Sequence, residues 1–450
     1  MLENLKSLNI HQYDAEIIDI RIEETTKCTI SFFQKEFRSF NEEKNIGAFI
    51  RIYAHQKWYY ASTTEVNNLE KEIYKLLKLA NLSVDKQNRD IQIKETIIDN
   101  LQNDDYTYKL SKEDKINYIN TVRSIIESEP MLINPYVTWT DNVLQKYYIN
   151  NKGVAYSYNK AYSGLLDSYT LKENENIFDT YHVKCFQYKS EIDNIKEEFT
   201  RDLTEAKLFI NAPVVEAGKY PVVFSPQATG IFTHESFGHK SEADFMLGDP
   251  EMKKQWEIGK RVATDIVSII DTGLNANDSG YCPIDDDGNP AQITYLIKNG
   301  ILTGRLHSSE TANIMEENTT GNARAVNFNF EPIVRMTNTY IEKGDLKLEE
   351  LLKPIEFGYF IKNVTHGSGH STFTMAVNRA FKIENGKITD PVKMNVTSGS
   401  VFETLHNIDG IGDEIEIVNQ AFGGCGKGEQ FPLHVSFGGP YIRLKSYNVS

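Results

Sequence analysis

Residues 234–239 read HESFGH, two histidines with a glutamate directly after the first. Helices that bind a catalytic zinc ion typically carry this arrangement with the histidines four positions apart. Here they lie five apart, and on a regular α-helix that spacing turns the two side chains about 140° away from each other. Both imidazoles can reach one ion only if the helix widens, as in a π-type turn, or ends between them. We predict a widening over residues 236–238, which the glycine at 238 makes easier.

The sequence around this motif is typical of a β-rich domain. From about residue 210, glycines become frequent, and short apolar runs are separated by turn sequences such as DDDGNP (285–290) and KNGIL (298–302). Short apolar segments separated by turn sequences indicate short antiparallel strands. We expect one long helix around HESFGH and a shorter one around SSETANIMEEN (308–318).

The first part of the chain is predicted to mix strands and helices. In EIIDIRIEE (16–24), apolar and charged residues alternate as in a half-buried strand. Two further segments have strand character, and apolar spacing predicts three helices. The strands are CTISFFQKE (28–36) and GAFIRIYAHQKWYYAST (47–63), and the helices follow Thr64 and Ser111 and cover about 189–208.

These patterns predict an α+β protein of two domains. A mixed α/β domain would span residues 1–205, and an antiparallel, barrel-like β-rich domain carrying the HExxxH helix would span residues 206–450. A chain of 450 residues is long enough for two buried cores.

Composition limits the classes of function. The net charge of −15 disfavours direct binding to nucleic acid. No apolar run approaches the ~18 residues that cross a bilayer, and the first residues do not resemble a secretory signal, so we expect a cytoplasmic protein without a membrane segment. The four cysteines contain no C-x-x-C pair, which argues against a disulfide framework or a zinc finger.

A catalytic zinc site usually has three protein ligands, and the residue pattern alone leaves the third one open. One candidate is the segment HGSGH, which contains His366 and His370. The other is Cys425 in GGCGKGEQ, where Lys427 would favour the thiolate over the thiol.

Several longer segments resemble one known family. HESFGHKSEADF (234–245) is similar to the HExxxHxxExDF metal motif of TldD/PmbA metallopeptidases, and specifically of the TldD-type subunit. The resemblance continues in the same order over about residues 215–445. It includes TGNARA (320–325), RMTNTYIEKGD (335–345) and GGCGKGEQFPLHVSFGGPYIRL (423–444).

The resemblance implies a set of ligands and a catalytic base. It implies that one zinc ion per metal-binding subunit is held by His234, His239 and Cys425, and that Glu235 is the general base. The chemistry is consistent, because zinc lowers the pKa of bound water and a neighbouring carboxylate can accept the proton. Glu242 and Asp244 also match family positions, and they could orient the imidazoles or be ordinary helix and surface residues.

Other matched positions have weaker interpretations. Arg324 and Arg335 could bind a substrate carboxylate or carbonyl, although ion pairs that stabilise the fold are the preferred interpretation. The acidic run 285–287 could bind a second cation but is expected to be a solvated turn. The family usually has a glycine run where this chain has THGSGHST (365–372), so His366 and His370 are not expected ligands but could stand near the cleft.

The function implied by the resemblance is zinc-dependent hydrolysis of unfolded or linear peptides. Family members add extended peptides to a sheet edge inside a closed chamber, which requires a dimer. The partner would be a second copy or a metal-free PmbA-like (TldE-like) subunit. Two alternatives remain at this point: tailoring or maturation of a peptide-derived natural product by the same metal, and a non-catalytic peptide-binding role as a partner subunit.

Overall fold

The computed structural model describes residues 1–34, 36–369 and 372–450. The α-helices α1–α10 are Leu2–Ser7, Leu69–Leu79, Lys112–Ile126, Ile195–Lys207, Pro226–Phe232, Asp244–Leu247, Pro250–Gln255, Ser309–Met315, Leu348–Leu352 and Val401–Asn407. Strands β1–β12 are Ile17–Phe33, Glu36–Ala54, Lys57–Thr63, Lys94–Ile98, Leu132–Asn150, Val154–Glu173, Asn176–Phe186, Gly218–Phe224, Ile269–Asp271, Thr294–Lys298, Ile301–Leu302 and Ala323–Arg324. Strands β13–β24 are Ile333–Val334, Asn338–Ile341, Phe357–Gly369, Thr372–Glu384, Lys387–Val392, Val396–Ser400, Ile408–Ile411, Glu416–Asn419, Cys425–Lys427, Gln430–Leu433, Ser436–Gly439 and Ile442–Val449.

The first seven strands form one sheet in the order β3-β2-β1-β5-β6-β4, with β7 also paired to β6. Helices α3 and α4 contribute apolar residues to the same buried cluster as this sheet. The alternation in EIIDIRIEE does mark a strand, but β1 continues into the second predicted strand segment as far as Phe33 and is 17 residues long. Helix α3 begins where predicted, and the side chain of Ser111 accepts a hydrogen bond from the amide of Asp114 at its start.

The remaining strands confirm the barrel-like prediction. Strands β15, β8, β24, β18 and β16 pair in sequence, and a further pairing between β15 and β16 closes the ring. All of these pairs are antiparallel except β8 with β15, which run parallel. A second sheet with the order β11-β10-β9-β14-β23-β20 accompanies the barrel. The α+β class is therefore confirmed.

The two halves of the chain contribute to a common apolar cluster, although each half also has a cluster of its own. The cluster that contains Trp139 and Phe186 of the first sheet also contains Val223 of β8, Phe360 of β15 and Phe381 of β16. The sheets lie on either side of the predicted boundary near residue 205, whereas the apolar packing is only partly divided there. The two-domain division stays a prediction. In the described residues, no helix is long and apolar enough to cross a membrane.

Candidate metal centre

The HESFGH segment lies at the end of a helix that leaves the barrel. Strand β8 leads into α5, whose start is capped by the Ser225 hydroxyl, which accepts a hydrogen bond from the amide of Ala228. After Phe232 the helix widens into a π-helical turn over Thr233–Gly238, followed by a 3-10 turn over His239–Ser241. In a π turn the hydrogen bonds join positions five apart, so residues with that spacing face the same side. The predicted widening is confirmed, and it begins three residues earlier than expected.

The widened turn brings the two histidines together. The ring centroids of His234 and His239 lie 5.0 Å apart, with 79° between the ring planes. Gly238 has ordinary right-handed helical dihedrals, so conformational freedom is not what requires glycine there. A Cβ atom at 238 would lie 2.1 Å from Sδ of Met336, which shows that glycine is needed for close packing.

The third member of the cluster comes from the end of the chain. Cys425 begins β21, directly after two glycines with positive φ, at 423 and 424. Its Sγ lies 3.4 Å from Nε2 of His239. The described residues bring together one group of potential metal ligands, which consists of His234, His239 and Cys425. One possible ligand atom from each of these residues lies within 4.8 Å of the other two.

The protein holds Cys425 through its backbone as well as its side chain. Arg335 is fully buried, and its Nη2 donates a hydrogen bond of 2.7 Å to the carbonyl oxygen of Cys425. Its Nη1 donates to the carbonyl of Gln430 on the paired strand β22. One guanidinium therefore fixes both strands of the hairpin that carries the cysteine.

The charges around the sulfur favour the thiolate, which is the form that binds metals. Burial alone would raise the pKa of the Cys425 thiol, but the imidazoles of His234 and His239 outweigh it and hold the pKa well below its usual range. The Lys427 ammonium, expected to act on the thiol, instead bonds to carboxylates: its Nζ lies 2.8 Å from Oε2 of Glu242 and 2.7 Å from Oδ1 of Asp244.

Glu242 and Asp244 both belong to the surroundings of the cluster. Oε2 of the fully buried Glu242 lies 3.5 Å from Nδ1 of His239, on the side of the ring away from the sulfur. A carboxylate in this place fixes the ring orientation and leaves Nε2 directed at the cluster. Asp244 contacts Lys427 rather than a histidine, so it acts on the cluster through that lysine and Glu242.

One distance within the cluster is that expected between two ligands of a zinc ion. With Zn–S of about 2.3 Å and Zn–N of about 2.0 Å in a tetrahedral arrangement, sulfur and nitrogen ligands should be about 3.5 Å apart. The observed distance between Sγ of Cys425 and Nε2 of His239 is 3.4 Å. Nδ1 of His234 is buried without a hydrogen-bond partner in the structure. Three ligands of this kind would leave a fourth position for water or substrate.

Glu235 follows His234 in the widened turn and lies half-buried under the end of strand β15. A Cβ atom at Gly367 would lie 2.7 Å from Cγ of Glu235, and one at Gly369 would lie 2.4 Å from its carbonyl oxygen. Sequence reasoning missed these two glycines. Their i, i+2 spacing places them on one face of a strand, which was the available signal.

The remaining predicted site residues are placed as follows. Arg324 is buried and donates hydrogen bonds to the carbonyl oxygens of Met336 and His434. Arg335 likewise donates to the carbonyl oxygens of Cys425 and Gln430. Both side chains therefore bond to the backbone instead of forming the expected ion pairs. His366 is exposed, with Nδ1 3.1 Å from the hydroxyl of Thr365, and is absent from the ligand group. His370 lies outside the described residues.

The expectation of a solvated acidic turn at 285–287 is wrong. Asp285 and Asp286 are fully buried, and Asp286 pairs with Arg21 and Lys146 of the first sheet. Asp287 pairs with Arg51. The run is a buried charge network because it packs against the first sheet, a contact that local sequence does not reveal.

Comparison with known proteins agrees with this arrangement. Residues 217–450 match the family described as "PmbA/TldA metallopeptidase C-terminal domain", and residues 18–81 match "PmbA/TldA metallopeptidase domain 1". A metalloprotease of Synechocystis sp. is 30% identical over 441 residues, covering 97% of this chain and 95% of that protein. A protein named zinc metalloprotease TldD homolog, from Saccharolobus solfataricus, is 28% identical over 345 residues, which cover 75% of this chain and 76% of that protein.

Solved structures share the fold. TldE from Thermococcus kodakarensis superposes with a TM-score of 0.78 at 15% identity, covering 100% of this chain and 99% of its own. A protein of Thermotoga maritima gives a TM-score of 0.76 at 20% identity, covering 100% of this chain and 98% of its own. With the family matches over both parts of the chain and a relative 30% identical over almost its whole length, this protein belongs to the TldD/PmbA family of metallopeptidases.

Proposed function

We propose that this protein is a zinc-dependent peptidase that hydrolyses unfolded or linear peptides. One observation carries the proposal: two imidazoles and a thiol from distant parts of the chain meet with spacing suited to zinc, and Glu235 is adjacent. We propose His234, His239 and Cys425 as ligands of one zinc ion per subunit. Metalloprotease names among the relatives support the presence of a metal.

Each residue of the centre has a defined role in this proposal. When bound, zinc supplies a Lewis acid that lowers the pKa of water and polarises a peptide carbonyl. The carboxylate of Glu235 accepts a proton from the attacking water and passes it to the leaving amine. Glu242 holds the ring of His239 through Nδ1, and Lys427 forms ion pairs with both Glu242 and Asp244.

The position of β15 supports an extended peptide as the substrate. The side chain of Gln227 bonds to both main-chain groups of Val364, and after that point the strand reaches Gly367 and Gly369 above Glu235. Among the described residues, β15 pairs with β8 only as far as Ile361 and with β16 on its other side, so the outer part of one edge could pair with an extended chain. Binding through main-chain hydrogen bonds would make the enzyme tolerant of different side chains.

We propose that the active form is a dimer, with a second copy or a metal-free PmbA-like subunit. A division into residues 1–205 and 206–450 is proposed for each chain. A cytoplasmic location is supported by all four cysteines being free. Light scattering of the purified protein, alone and mixed with a candidate partner, tests the stoichiometry: a monomer under both conditions would contradict the dimer.

The substitution Glu235→Gln tests the function. It keeps the shape of the side chain but removes the proton acceptor, so we expect zinc content near one ion per chain and a loss of hydrolysis of about a hundredfold or more. Zinc is measured by elemental analysis, and hydrolysis by mass spectrometry of an unfolded peptide mixture. Glu251→Gln, the same change at an exposed position on α7, is the matched control and should leave both unchanged.

Two results would contradict the proposal. Unchanged peptide turnover by Glu235→Gln would exclude this carboxylate as the base. Absence of hydrolysis by the zinc-loaded wild-type protein, alone and with a PmbA-like partner, would exclude a general peptidase.

A further inference from the structure

A cavity of about 460 Å³ lies between the first sheet and the second half of the chain. Its size is within the range of small-ligand pockets. Part of its wall is formed by Leu433 of β22, the strand that pairs with β21 at Cys425, although none of the three proposed zinc ligands lines the cavity. The proposed peptidase mechanism does not use it.

Two buried cations line this cavity without an acidic partner. Lys160 is 7% exposed, and its Nζ donates hydrogen bonds of 2.9 Å to the carbonyl oxygens of Ser279 and Tyr281. Arg324 is 5% exposed and donates to two carbonyl oxygens. In the part of the chain that the structure describes, neither forms an ion pair.

The other charges around the cavity are compensated. Lys146 pairs with Glu23 and with Asp286, which also pairs with Arg21. At the exposed rim, Lys27 and Glu43 carry opposite charges. What remains is the positive charge of Lys160 and Arg324.

An uncompensated buried charge is unfavourable, and the structure shows its effect on the lysine. Burial, and after it the charge of Arg324, lower the pKa of Lys160 to about 7. His434 also lines the cavity, and its Nδ1 is buried without a hydrogen-bond partner among the described residues. An anion in the cavity would neutralise the cations and could accept further hydrogen bonds.

We propose that this cavity binds a carboxylate group, with Lys160 and Arg324 providing the positive charge. A single negative charge matches a site whose lysine is readily neutralised, and Leu144, Phe328 and Leu433 offer apolar contacts to the rest of the ligand. Two sources share this chemistry: the carboxy terminus of a peptide and a free organic acid. The inference goes beyond peptide hydrolysis and does not require it, because binding alone is the readout.

Isothermal titration calorimetry with three probes tests the proposal and identifies the source. N-acetylalanine has a peptide-like amide and a free carboxylate, N-acetylalaninamide lacks the charge, and acetate has the charge alone. We expect N-acetylalanine to bind at least about tenfold more tightly than the amide, since a charge-assisted hydrogen bond is lost. Acetate binding as tightly as N-acetylalanine identifies an organic acid as the ligand, and weaker acetate binding identifies a peptide carboxy terminus.

Two variants locate the binding in the cavity. Lys160→Met removes one cation, and Thr26→Trp fills the cavity from β1 without removing a buried charge. Each should weaken binding of N-acetylalanine about tenfold or more. Lys152→Met, the same change at an exposed lysine outside the cavity, should bind like the wild type.

The proposal is overturned if the wild type does not prefer the acid to the amide, or if either variant binds N-acetylalanine like the wild type. The second result would also be seen if the acid bound only at the histidine–cysteine cluster. Thermal unfolding curves without ligand establish that the variants are folded. If Lys160→Met does not fold, the binding of N-acetylalanine by Thr26→Trp is the deciding measurement.

Discussion

At the scale of the residue, the metal centre depends on side chains whose partners are other site residues. Cys425 contacts His239 through Sγ, and its carbonyl is held by Arg335. His239 is oriented by Glu242, which Lys427 neutralises. Each contact restricts one degree of freedom of a proposed ligand, so the cluster is ordered by the protein itself.

Loss of the sulfur should release the metal. We expect Cys425→Ala to retain less than about a tenth of the zinc of the wild type after dialysis, because two imidazoles alone leave the usual ligand set incomplete. Elemental analysis measures the zinc content. Cys185→Ala, at a cysteine outside the cluster, is the control and should keep the wild-type content. Full zinc occupancy in Cys425→Ala would mean that another residue is the third ligand.

A second residue-scale prediction concerns Asp167, which lies outside the metal centre. Burial raises the pKa of its carboxyl from 3.8 to about 7, and its Oδ1 accepts a hydrogen bond from the amide of His182. Between pH 3.8 and about pH 7, this carboxyl keeps its proton in the folded protein but has lost it in the unfolded chain. The free energy of unfolding therefore falls as the pH rises through this range. Asp167→Asn keeps the acceptor and removes this dependence.

We therefore expect Asp167→Asn to be more stable than the wild type above pH 7, by on the order of 2 to 4 kcal/mol, since one pKa unit corresponds to about 1.4 kcal/mol. The difference should shrink towards zero as pH falls to about 4. Urea unfolding at several pH values measures it, and Asp90→Asn at an exposed carboxylate is the control. A difference that does not change with pH would refute the assignment.

The roles of single residues could be predicted mainly from the resemblance to the TldD/PmbA family. Motif spacing alone left the third ligand open between the HGSGH histidines and Cys425, because residues far apart in the chain give no local sign that they meet. The roles of Arg324 and Arg335 were only partly predictable. Both bond to carbonyl oxygens rather than to carboxylates, and a backbone acceptor leaves no trace in sequence.

At the scale of the element, the π turn over Thr233–Gly238 is what makes the five-residue histidine spacing usable. Its presence could be predicted from geometry, since regular helical turns would separate the imidazoles. The reason for Gly238 could not, because Met336 comes from a segment about a hundred residues away and occupies the space where a Cβ would lie. The unbroken length of β1 was also hidden, since residues 24–29, which join the two predicted strand segments, are exposed or half-buried and show no alternation of apolar and polar residues.

The contact between Gly238 and Met336 can be measured with a double-mutant cycle. Gly238→Ala should destabilise the protein by about 1 to 3 kcal/mol through overpacking, and Met336→Ala by about 2 to 5 kcal/mol through the cavity it leaves. Because the added methyl group occupies space that the shorter side chain vacates, the double variant should be more stable than the sum of the two effects predicts. Urea unfolding gives the four free energies, and strict additivity would show that the two sites do not touch.

At the scale of the whole molecule, the first sheet and the second half of the chain are held together by apolar packing and by buried charges. The shared core joins Trp139 to Phe360 and Phe381. The charge network joins Arg21 and Lys146 of the sheet to Asp286. Sequence patterns predicted the α+β class, because helices and strands depend on local periodicity, whereas the strand pairs that close the barrel join segments far apart in the chain. The sequence patterns gave no warning of the network, because an acidic run beside a glycine looks like an exposed turn until its partners are placed against it.

The importance of this network for the whole molecule can be tested with Asp286→Asn. Burial would raise the pKa of this carboxyl, but Lys146 and Arg21 outweigh it and lower the pKa, so the group is ionised in the folded protein. The amide is similar in size but uncharged, and it leaves Arg21 and Lys146 short of one negative charge in a buried site. Breaking a buried ion pair from one side typically costs about 3 to 5 kcal/mol. We expect a loss of stability of this size in urea unfolding, with both halves of the chain affected because the network lies between them.

Asp104→Asn provides the comparison, since this carboxylate is 97% exposed and, in the part of the chain that the structure describes, pairs only with Lys109 on the surface. Its removal should change stability by less than about 1 kcal/mol. If Asp286→Asn were equally mild, the charges of Arg21 and Lys146 would have to be satisfied by Glu23 alone, which contacts both. The triple variant Arg21→Met, Lys146→Met and Asp286→Leu replaces all three charges with apolar side chains, which can pack as well as the buried ions. If it recovers most of the lost stability, Asp286→Asn is destabilising because it leaves two buried cations without their negative partner.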